Sequence, residues 1–401
     1  MERIAERDRA SEDSVDAVIA RLQRRIAEEA SAPPPSGVDD IPAHLDQVTP
    51  EWITAVLAGA HPGARAEAVE IRGGSDGSTS RRGLRIIWNE AGRVAGLPEY
   101  AFGKATPLLQ NRLVCGMSGA MFNERDFYLN VRPELPIEAP VAIYAAADPD
   151  SFRSVMLFED LAVRGAQFTD PYFVVDRPKA EDMTKLLATL HARMLGSPLL
   201  KRMPLVKSTL QFQLDVNAAI DFESRSNIGI DRAGSALPAS ISSRKEAMWN
   251  QGLMRSLEIN IAQPNTLTHC DVHIGNWYLS GEGRMGLTDW QCASYGNGAI
   301  DLAYALSSAL TTEDRRAWEA DLVRLYAETL REQGSTDDTS FETQWLRYRQ
   351  QMFHAFYNWV YTLGAGEMQP NMQRDDISMI NIQRMGAAID DLDSLDLVQR
   401  C

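Results

Sequence analysis

The chain is short of cysteine, histidine and cationic charge, and it has no long apolar run. Four cysteines, Cys115, Cys270, Cys292 and Cys401, lack the spacing of a zinc site or a disulfide framework. That usage fits a reducing compartment. Six histidines leave little material for an imidazole-rich metal centre. Against 55 Asp and Glu there are 40 Lys and Arg, a formal net charge of −15, which argues against nucleic acid or anionic membrane as a partner. No stretch reaches the length of a membrane span, and the charged first residues lack a signal-peptide core. The expectation is a cytoplasmic protein. At 401 residues and 44% apolar content it can bury a sizeable core, divided between two lobes.

The richest stretch is Leu267 to Leu306, LTHCDVHIGNWYLSGEGRMGLTDWQCASYGNGAIDLAYAL. Trp277 to Leu279 and Met285 to Thr288 are β-prone runs joined by Ser280-Gly281-Glu282-Gly283, the pattern of a hairpin. Folding it sets Asn276, at the entrance, within a residue or two of Asp289, at the exit, with Asp271 in the loop just before. Hard oxygen ligands with few imidazoles suit Mg²⁺, which draws the rest of its shell from water and substrate phosphates. The reading is a metal–phosphate site with a spare carboxylate, Asp271, as base. His269, Asp271 and His273 also admit a second reading, an H-x-D-x-H metal cluster of a hydrolase.

Upstream, Ala66 to Arg72 and Gly83 to Trp88 read as strands flanking a Gly- and hydroxyl-rich turn that contains Ser78 and Thr79 and offers bare N–H groups to phosphate oxygens. Tyr100 to Lys104 is a third strand, whose period of two draws the Lys104 stem inward with Tyr100 and Phe102. A helix from Gly119 to Asn130 places Met121, Glu124, Tyr128 and Val131 on one stripe. A lone carboxylate on an apolar face is costly, so Glu124 needs a cation, and Lys104 is the natural partner. Before these, Val15, Ile19, Leu22 and Ile26 form a helical stripe, ended by Ala32-Pro33-Pro34-Pro35-Ser36-Gly37. Thr49-Pro50 is a helix start.

The H-x-D-x-H-x-x-N run with its hydrophobic-flanked Asp289 resembles the core of small-molecule kinases of the aminoglycoside phosphotransferase and choline kinase type. DWQCASYGNGAIDLAYAL is most similar to their ecdysteroid-kinase-like branch. Cys270 and Ile274 depart from the Gly and Pro usual in these families. The resemblance implies a protein-kinase-like α+β fold with a small β-rich N-lobe and a larger, mainly helical C-lobe. The Pro-rich break sets off an arm over residues 1–37, outside the resemblance, and the division expected beyond it is an N-lobe over 38–160 and a C-lobe over 161–401. The resemblance implies ATP and Mg²⁺ as cofactors, with Asp271 as base, His269 orienting the loop, Asn276 and Asp289 on the metal, and Lys104 on the nucleotide phosphates, oriented by Glu124. Ser78 and Thr79 would lie in the phosphate loop, and Glu159 and Leu161 at the hinge that meets adenine. No A-P-E-like segment follows Asp289 and DWQ replaces D-F-G, which disfavours a protein kinase. A catalytically inactive nucleotide-binding protein is a further class, weakened because all five polar positions are filled.

Beyond the hinge the chain reads as helical. Met183 to His191 is amphipathic, with His191 a packed core histidine. Residues 200–262 form helices before the catalytic loop, and Glu313 to Gln333 carries Trp318, Leu322, Leu325 and Leu330 inward. One helix from Trp345 to Leu363 has Trp345, Tyr348, Met352, Phe356 and Trp359 on one stripe and Phe353, Tyr357 and Tyr361 on another, so both faces are covered by core or ligand. No carboxylate in that stretch would pair with an aminoglycoside's amines, although acidic residues return at Glu367, Asp375 and Asp376. The expected acceptor is a small, lipophilic alcohol; a choline-type cation or an aminoglycoside is the alternative.

Overall fold

The computed structural model describes residues 14–77, 79–366 and 373–401. It divides into two compact units, Met1–Pro133 with Pro140–Gly165, and Glu134–Ala139 with Ala166–Cys401.

The first unit is built on a five-stranded antiparallel sheet in the order β1-β2-β3-β5-β4. Its strands are β1 (Ala66–Asp76), β2 (Ser80–Trp88), β3 (Tyr100–Ala105), β4 (Ala142–Ala147) and β5 (Ser154–Glu159). Alternation along β2 buries Leu84, Ile86 and Trp88 on one face, where they join Trp52, Ile53, Ala101, Val155 and Leu157 in the core. Helix α2 (Pro50–Leu57) supplies Trp52 and Ile53. Its start follows the expected chemistry: Thr49 Oγ1 accepts the Trp52 N–H at 3.0 Å, and Pro50 opens the first turn.

Three elements of this unit depart from the sequence reading. The first helix, α1 (Val15–Glu29), buries Val18 and Leu22 and leaves Val15 exposed, so its inward stripe is rotated from the expected one. The rest of the arm up to residue 13 lies outside the described residues. An unforeseen helix, α3 (Leu109–Met117), follows β3. The helix expected over 119–130 is α-helical only over α4 (Ala120–Asp126), entered through left-handed Gly119, and then widens into a π turn, Phe127–Val131. Met121, Glu124, Tyr128 and Val131 are all buried, as expected of their shared stripe.

The second unit is mainly helical. Its small strands are β6 (Gln167–Phe168), β7 (Thr266–Thr268), β8 (Trp277–Leu279), β9 (Met285–Leu287) and β10 (Ser294–Gly296), paired as β6-β8-β9 and β10-β7. Around them lie α5 (Arg177–Met194), α6 (Phe222–Ala233), α7 (Ala299–Ala309), α8 (Thr312–Glu332), α9 (Phe341–Gln350), α10 (Met352–Leu363) and α11 (Asp375–Asp391). Among the described residues, no helix is long and apolar enough to cross a membrane.

Two expectations are corrected here. On α8 the buried positions include Arg315, Glu319, Leu322, Val323, Tyr326 and Leu330, while Trp318 and Leu325 are only half-covered. Arg315 comes inside because Glu319, Asp391 and the Tyr348–Glu319 bond surround it with acceptors. The aromatic helix is two helices, broken at Gln351. There Ser256, distant in sequence, donates through its hydroxyl to the Gln350 carbonyl at 2.7 Å and accepts the Gln351 amide on its own carbonyl at 3.0 Å. A tertiary contact of that kind leaves no local sequence signal.

Helix α10 is pressed against α6 so closely that Gly229 has no room for a side chain: a Cβ there would lie 1.8 Å from the Val360 carbonyl oxygen. Helix propensity favours Ala over Gly by about 1 kcal/mol, but here the obstacle is backbone. Gly229→Ala is therefore expected to lose about 2 kcal/mol to overpacking. A urea unfolding midpoint that stays put or rises would contradict that packing.

Candidate active site

In the second unit the site grows out of one buried carboxylate. Asp301, in the first turn of α7, is fully covered. Its Oδ2 accepts the His269 N–H at 2.7 Å and its Oδ1 the Cys270 N–H at 2.8 Å. His191 Nε2 lies 3.1 Å from Oδ2, and Nδ1 of the same ring meets the Tyr326 hydroxyl at 2.8 Å. Burial opposes the ionisation of Asp301, yet the His191 bond, helped by the neighbouring imidazoles and the His269 N–H, keeps its carboxyl below the usual range.

Pinned in this way, the chain turns at Cys270 into the left-handed region, φ 62°. For a residue with a Cβ that conformation costs roughly 1–2 kcal/mol, and Gly avoids the cost. Thus Cys270 retains a backbone shape in which glycine would be at ease. Its carbonyl accepts from His354 Nε2 at 2.7 Å, and its buried thiol lies 3.2 Å from Thr268 Oγ1. Burial, reinforced by Asp301, pushes that thiol well above its ordinary pKa.

His269 bridges the two loops of the site. Nδ1 accepts the Asp271 N–H at 3.2 Å, and Nε2 donates to the Thr288 carbonyl at 2.8 Å, which assigns the neutral Nε2–H tautomer. Burial drives its pKa below 6.5 despite the surrounding carboxylates. The ring is thus a spacer between Asp271 and the residue before Asp289.

The hairpin forms in the expected register, with Trp277 opposite Leu287 and Leu279 opposite Met285. One step beyond, the Asn276 carbonyl accepts the Thr288 N–H at 2.8 Å and the Thr288 hydroxyl at 3.1 Å. Asn276 and Asp289 therefore flank one open end. Asp289 is left-handed, φ 63°, a conformation that Asp tolerates better than most residues. Inside the hairpin, Gly286 accommodates the Tyr278 ring, which would lie 2.2 Å from any Cβ.

Asp271 is held at both carboxylate oxygens. Asn276 Nδ2 donates to Oδ2 at 3.2 Å and to the Asp271 carbonyl at 2.7 Å. The Tyr304 hydroxyl donates to Oδ1 at 3.2 Å. Tyr304 is buried, which with the Asp271 charge raises its pKa well above the ordinary phenol value, so it remains a donor. Both Asn276 donors point to Asp271, which turns the amide oxygen, Asn276 Oδ1, away from Asp271 and leaves it to accept or ligate. His273 caps the short turn that carries Asn276: its Nδ1 accepts the Gly275 N–H at 3.0 Å, and its ring stands edge-on to Trp359, with centroids 5.3 Å apart.

The H-x-D-x-H metal cluster does not assemble. Both His269 nitrogens are used, and among the described residues no group of three His, Cys, Asp or Glu is arranged to hold a metal. Two protein oxygens, from Asn276 and Asp289, do fit an ion that keeps waters and takes phosphate oxygens.

The first unit carries its own set. Lys104 and Glu124, 5% and 2% exposed, pair with Nζ 2.9 Å from Oε1 and 2.8 Å from Oε2. The glycine-rich turn sits between β1 and β2, with Asp76 opposite Ser80. Thr79 is buried there, and Ser78 lies outside the described residues. Glu159 pairs with Arg164 at 2.5 Å, Asp160 caps the next turn by accepting the Ala162 N–H, and Leu161 is half-covered.

Sequence reasoning missed Tyr304 and gave His273 no role. The signal for Tyr304 was its place one helical turn after Asp301. A pH dependence follows from the buried rings. His269 and His354 are both held below 6.5, mainly by burial, so the unfolded chain takes up protons that the fold refuses. Their contribution is complete above about pH 6.5 and is lost as pH falls below it. Melting temperature should drop between pH 7.5 and 5.5, and His354→Gln should flatten the slope; an unchanged slope would contradict it. At pH 8, a thiol reagent should label exposed Cys401 and spare Cys270 in the native protein. Rapid native labelling of Cys270 would show that the loop is open.

Comparison with known proteins bears on the fold and the family. No curated protein sequence matches the chain. Among solved structures, a choline kinase from Cryptosporidium parvum Iowa II is similar over 82% of this chain and 91% of that one, at 10% identity and a TM-score of 0.52. A microcompartment-associated aminopropanol kinase is similar over 82% and 94%, at 13% identity and a TM-score of 0.50. At these identities the likeness establishes the fold: α+β and kinase-like, with a small antiparallel sheet and a larger helical part. The sequence profile of the phosphotransferase enzyme family (APH) matches residues 122–335, which takes in Glu124, Asp271, Asn276, Asp289 and Asp301 and stops short of Lys104. With more than half its length matched, the chain belongs to the phosphotransferase enzyme family.

Proposed function

We propose that this phosphotransferase is an ATP- and Mg²⁺-dependent small-molecule kinase, of the ecdysteroid-kinase-like branch, that phosphorylates a hydroxyl of a lipophilic metabolite. The observation that carries the reading is the convergence of Asp271, Asn276 and Asp289 at one hairpin mouth. Bound Mg·ATP supplies the transferable phosphoryl group and the charge neutralisation that transfer requires.

The chain's own residues divide the remaining work. Asp271, fixed by Tyr304 and Asn276, is aimed to accept or orient the proton of the acceptor hydroxyl. Asn276 through Oδ1 and Asp289 would hold the metal. Lys104 would hold nucleotide phosphate, its stem buried and its ammonium set by Glu124. Thr79, Ser78, Glu159 and Leu161 would border the nucleotide. His269 is a positioning residue: its Nε2–H is given to the Thr288 carbonyl and its Nδ1 lone pair is taken by the Asp271 N–H, which leaves no free site for proton transfer.

The acceptor reading rests on α10. His273, whose Nε2 is 3.9 Å from Asp271 Oδ2, lies against Trp359 of that helix. Trp359 is the ring of α10 that stands beside the base, the helix's other aromatic side chains being buried, and an aromatic ring there favours a largely apolar molecule bearing a hydroxyl. Asp375 and Asp376 head α11, with Asp376 engaged by Arg374 and Tyr172, while Glu367 lies outside the described residues. A quaternary ammonium alcohol is the second reading, because rings of this kind also attract such cations.

Two measurements test these readings. ATP with Mg²⁺ should stabilise the protein by about 2.7 kcal/mol at a hundredfold excess over its Kd. With EDTA the gain should largely vanish, and an equal gain without metal would remove the metal site. Separately, ATP consumption against a panel of alcohols, with mass spectrometry for an added phosphate, should find turnover among hydroxylated apolar compounds. Turnover of aminoglycosides alone would overturn the acceptor reading.

A further inference from the structure

Helix α1 is more than an appendage. Arg112 on α3 is completely buried, 0% exposed, and its guanidinium is engaged at all three nitrogens. Nε donates to the Thr106 carbonyl at 3.1 Å and Nη1 to the Ser151 carbonyl at 3.3 Å. Its charge is met by Glu29, the last residue of α1, through a two-pronged pair with Nη1–Oε1 at 2.9 Å and Nη2–Oε2 at 2.6 Å. Arg153 also reaches Glu29, at 3.3 Å. A buried guanidinium is tolerated only while its countercharge is in place, and carbonyl dipoles alone do not replace a carboxylate.

What Arg112 ties together is the frame of the nucleotide half-site. Thr106 lies two residues beyond Lys104 at the end of β3, and Ser151 leads into β5. The adjacent Asn111 donates through Nδ2 to the Gly77 carbonyl at 2.8 Å, in the glycine-rich turn. Helix α3 then runs through Gly119 into α4, which presents Glu124 to Lys104. At Gly116 the helix lies so close to Phe152 that a Cβ would be 2.1 Å from the ring. Arg21 of α1 stacks over the other part of that contact, 5.4 Å from the Phe152 centroid.

We propose that α1 is an in-chain clamp, with Glu29 a positioning residue that acts through Arg112 to hold α3, the glycine-rich turn and the Lys104–Glu124 pair in register for nucleotide binding. Releasing α1 from Arg112 then loosens the phosphate site without touching it. The inference rests on the reading of Lys104 as the phosphate-binding lysine, and its two halves are separable by experiment.

The test uses the full chain carrying Glu29→Gln, which keeps shape and removes charge. Hydrogen exchange reads the clamp independently of any nucleotide: amides in 75–80 and 104–126 should exchange faster in the variant. ATP titration with Mg²⁺ reads the consequence, a Kd raised by about tenfold or more for a loosened site. Faster exchange confined to α1 itself overturns the clamp. Faster exchange across 104–126 with an unchanged ATP Kd overturns the link to nucleotide binding. A wild-type chain that binds no ATP overturns the kinase reading, and the exchange result still decides the clamp. Should Glu29→Gln fail to fold, Glu29→Asp, which keeps the charge and shortens its reach, is read by the same two measurements.

Discussion

The second unit depends on a carboxylate that never meets solvent. Asp301 gathers two successive backbone N–H groups, from His269 and Cys270, and one histidine. Remove it and two buried donors are orphaned at once, each costing on the order of 1–3 kcal/mol. More than stability hangs on it. The left-handed turn at Cys270 exists because its N–H is held by Asp301 and its carbonyl by His354. That turn delivers Asp271 to Tyr304 and Asn276, and sets His269 as the strut to Thr288. A single buried ion thus fixes Asp271 and, through the strut, the loop that carries Asp289.

The same logic recurs in the first unit on different residues. There the buried charge is a cation, Arg112, and the countercharge comes from a helix distant in sequence. In both units an ion taken out of water is matched by groups from separate segments, so position is specified where apolar packing alone would permit sliding. Lys104 and Glu124 follow the pattern a third time.

How much of this was legible follows from range. The hairpin register was readable because turn residues and strand alternation are local, and they alone bring Asn276 and Asp289 together. The Lys104–Glu124 pair was readable from the cost of a carboxylate on an apolar stripe. Thr49 and Pro50 announced their helix. Tyr304 had only its place one turn after Asp301 to mark it, and the Gln351 break and the Glu29–Arg112 pair were not readable, since each is decided by a partner tens of residues away. The Ser256 hydroxyl on Gln350 is the plainest case. On α8 Leu322 and Leu330 turn inward as expected, while Arg315 and Glu319 join them in place of Trp318 and Leu325, because the two charges satisfy each other inside, which a hydrophobicity stripe does not register. Cys270 was noticed as a departure from glycine; only the backbone angle shows what it departs from.

The central claim is that the hairpin mouth separates two roles, a base at Asp271 and metal ligation at Asp289. The most direct test measures Mg·ATP affinity and turnover side by side in Asp271→Asn and Asp289→Ala. The account predicts that Asp271→Asn binds Mg·ATP as wild type does while turnover falls by roughly a hundredfold to ten-thousandfold, and that Asp289→Ala loses the metal-dependent affinity. Full turnover in Asp271→Asn, or undiminished metal-dependent binding in Asp289→Ala, would contradict it.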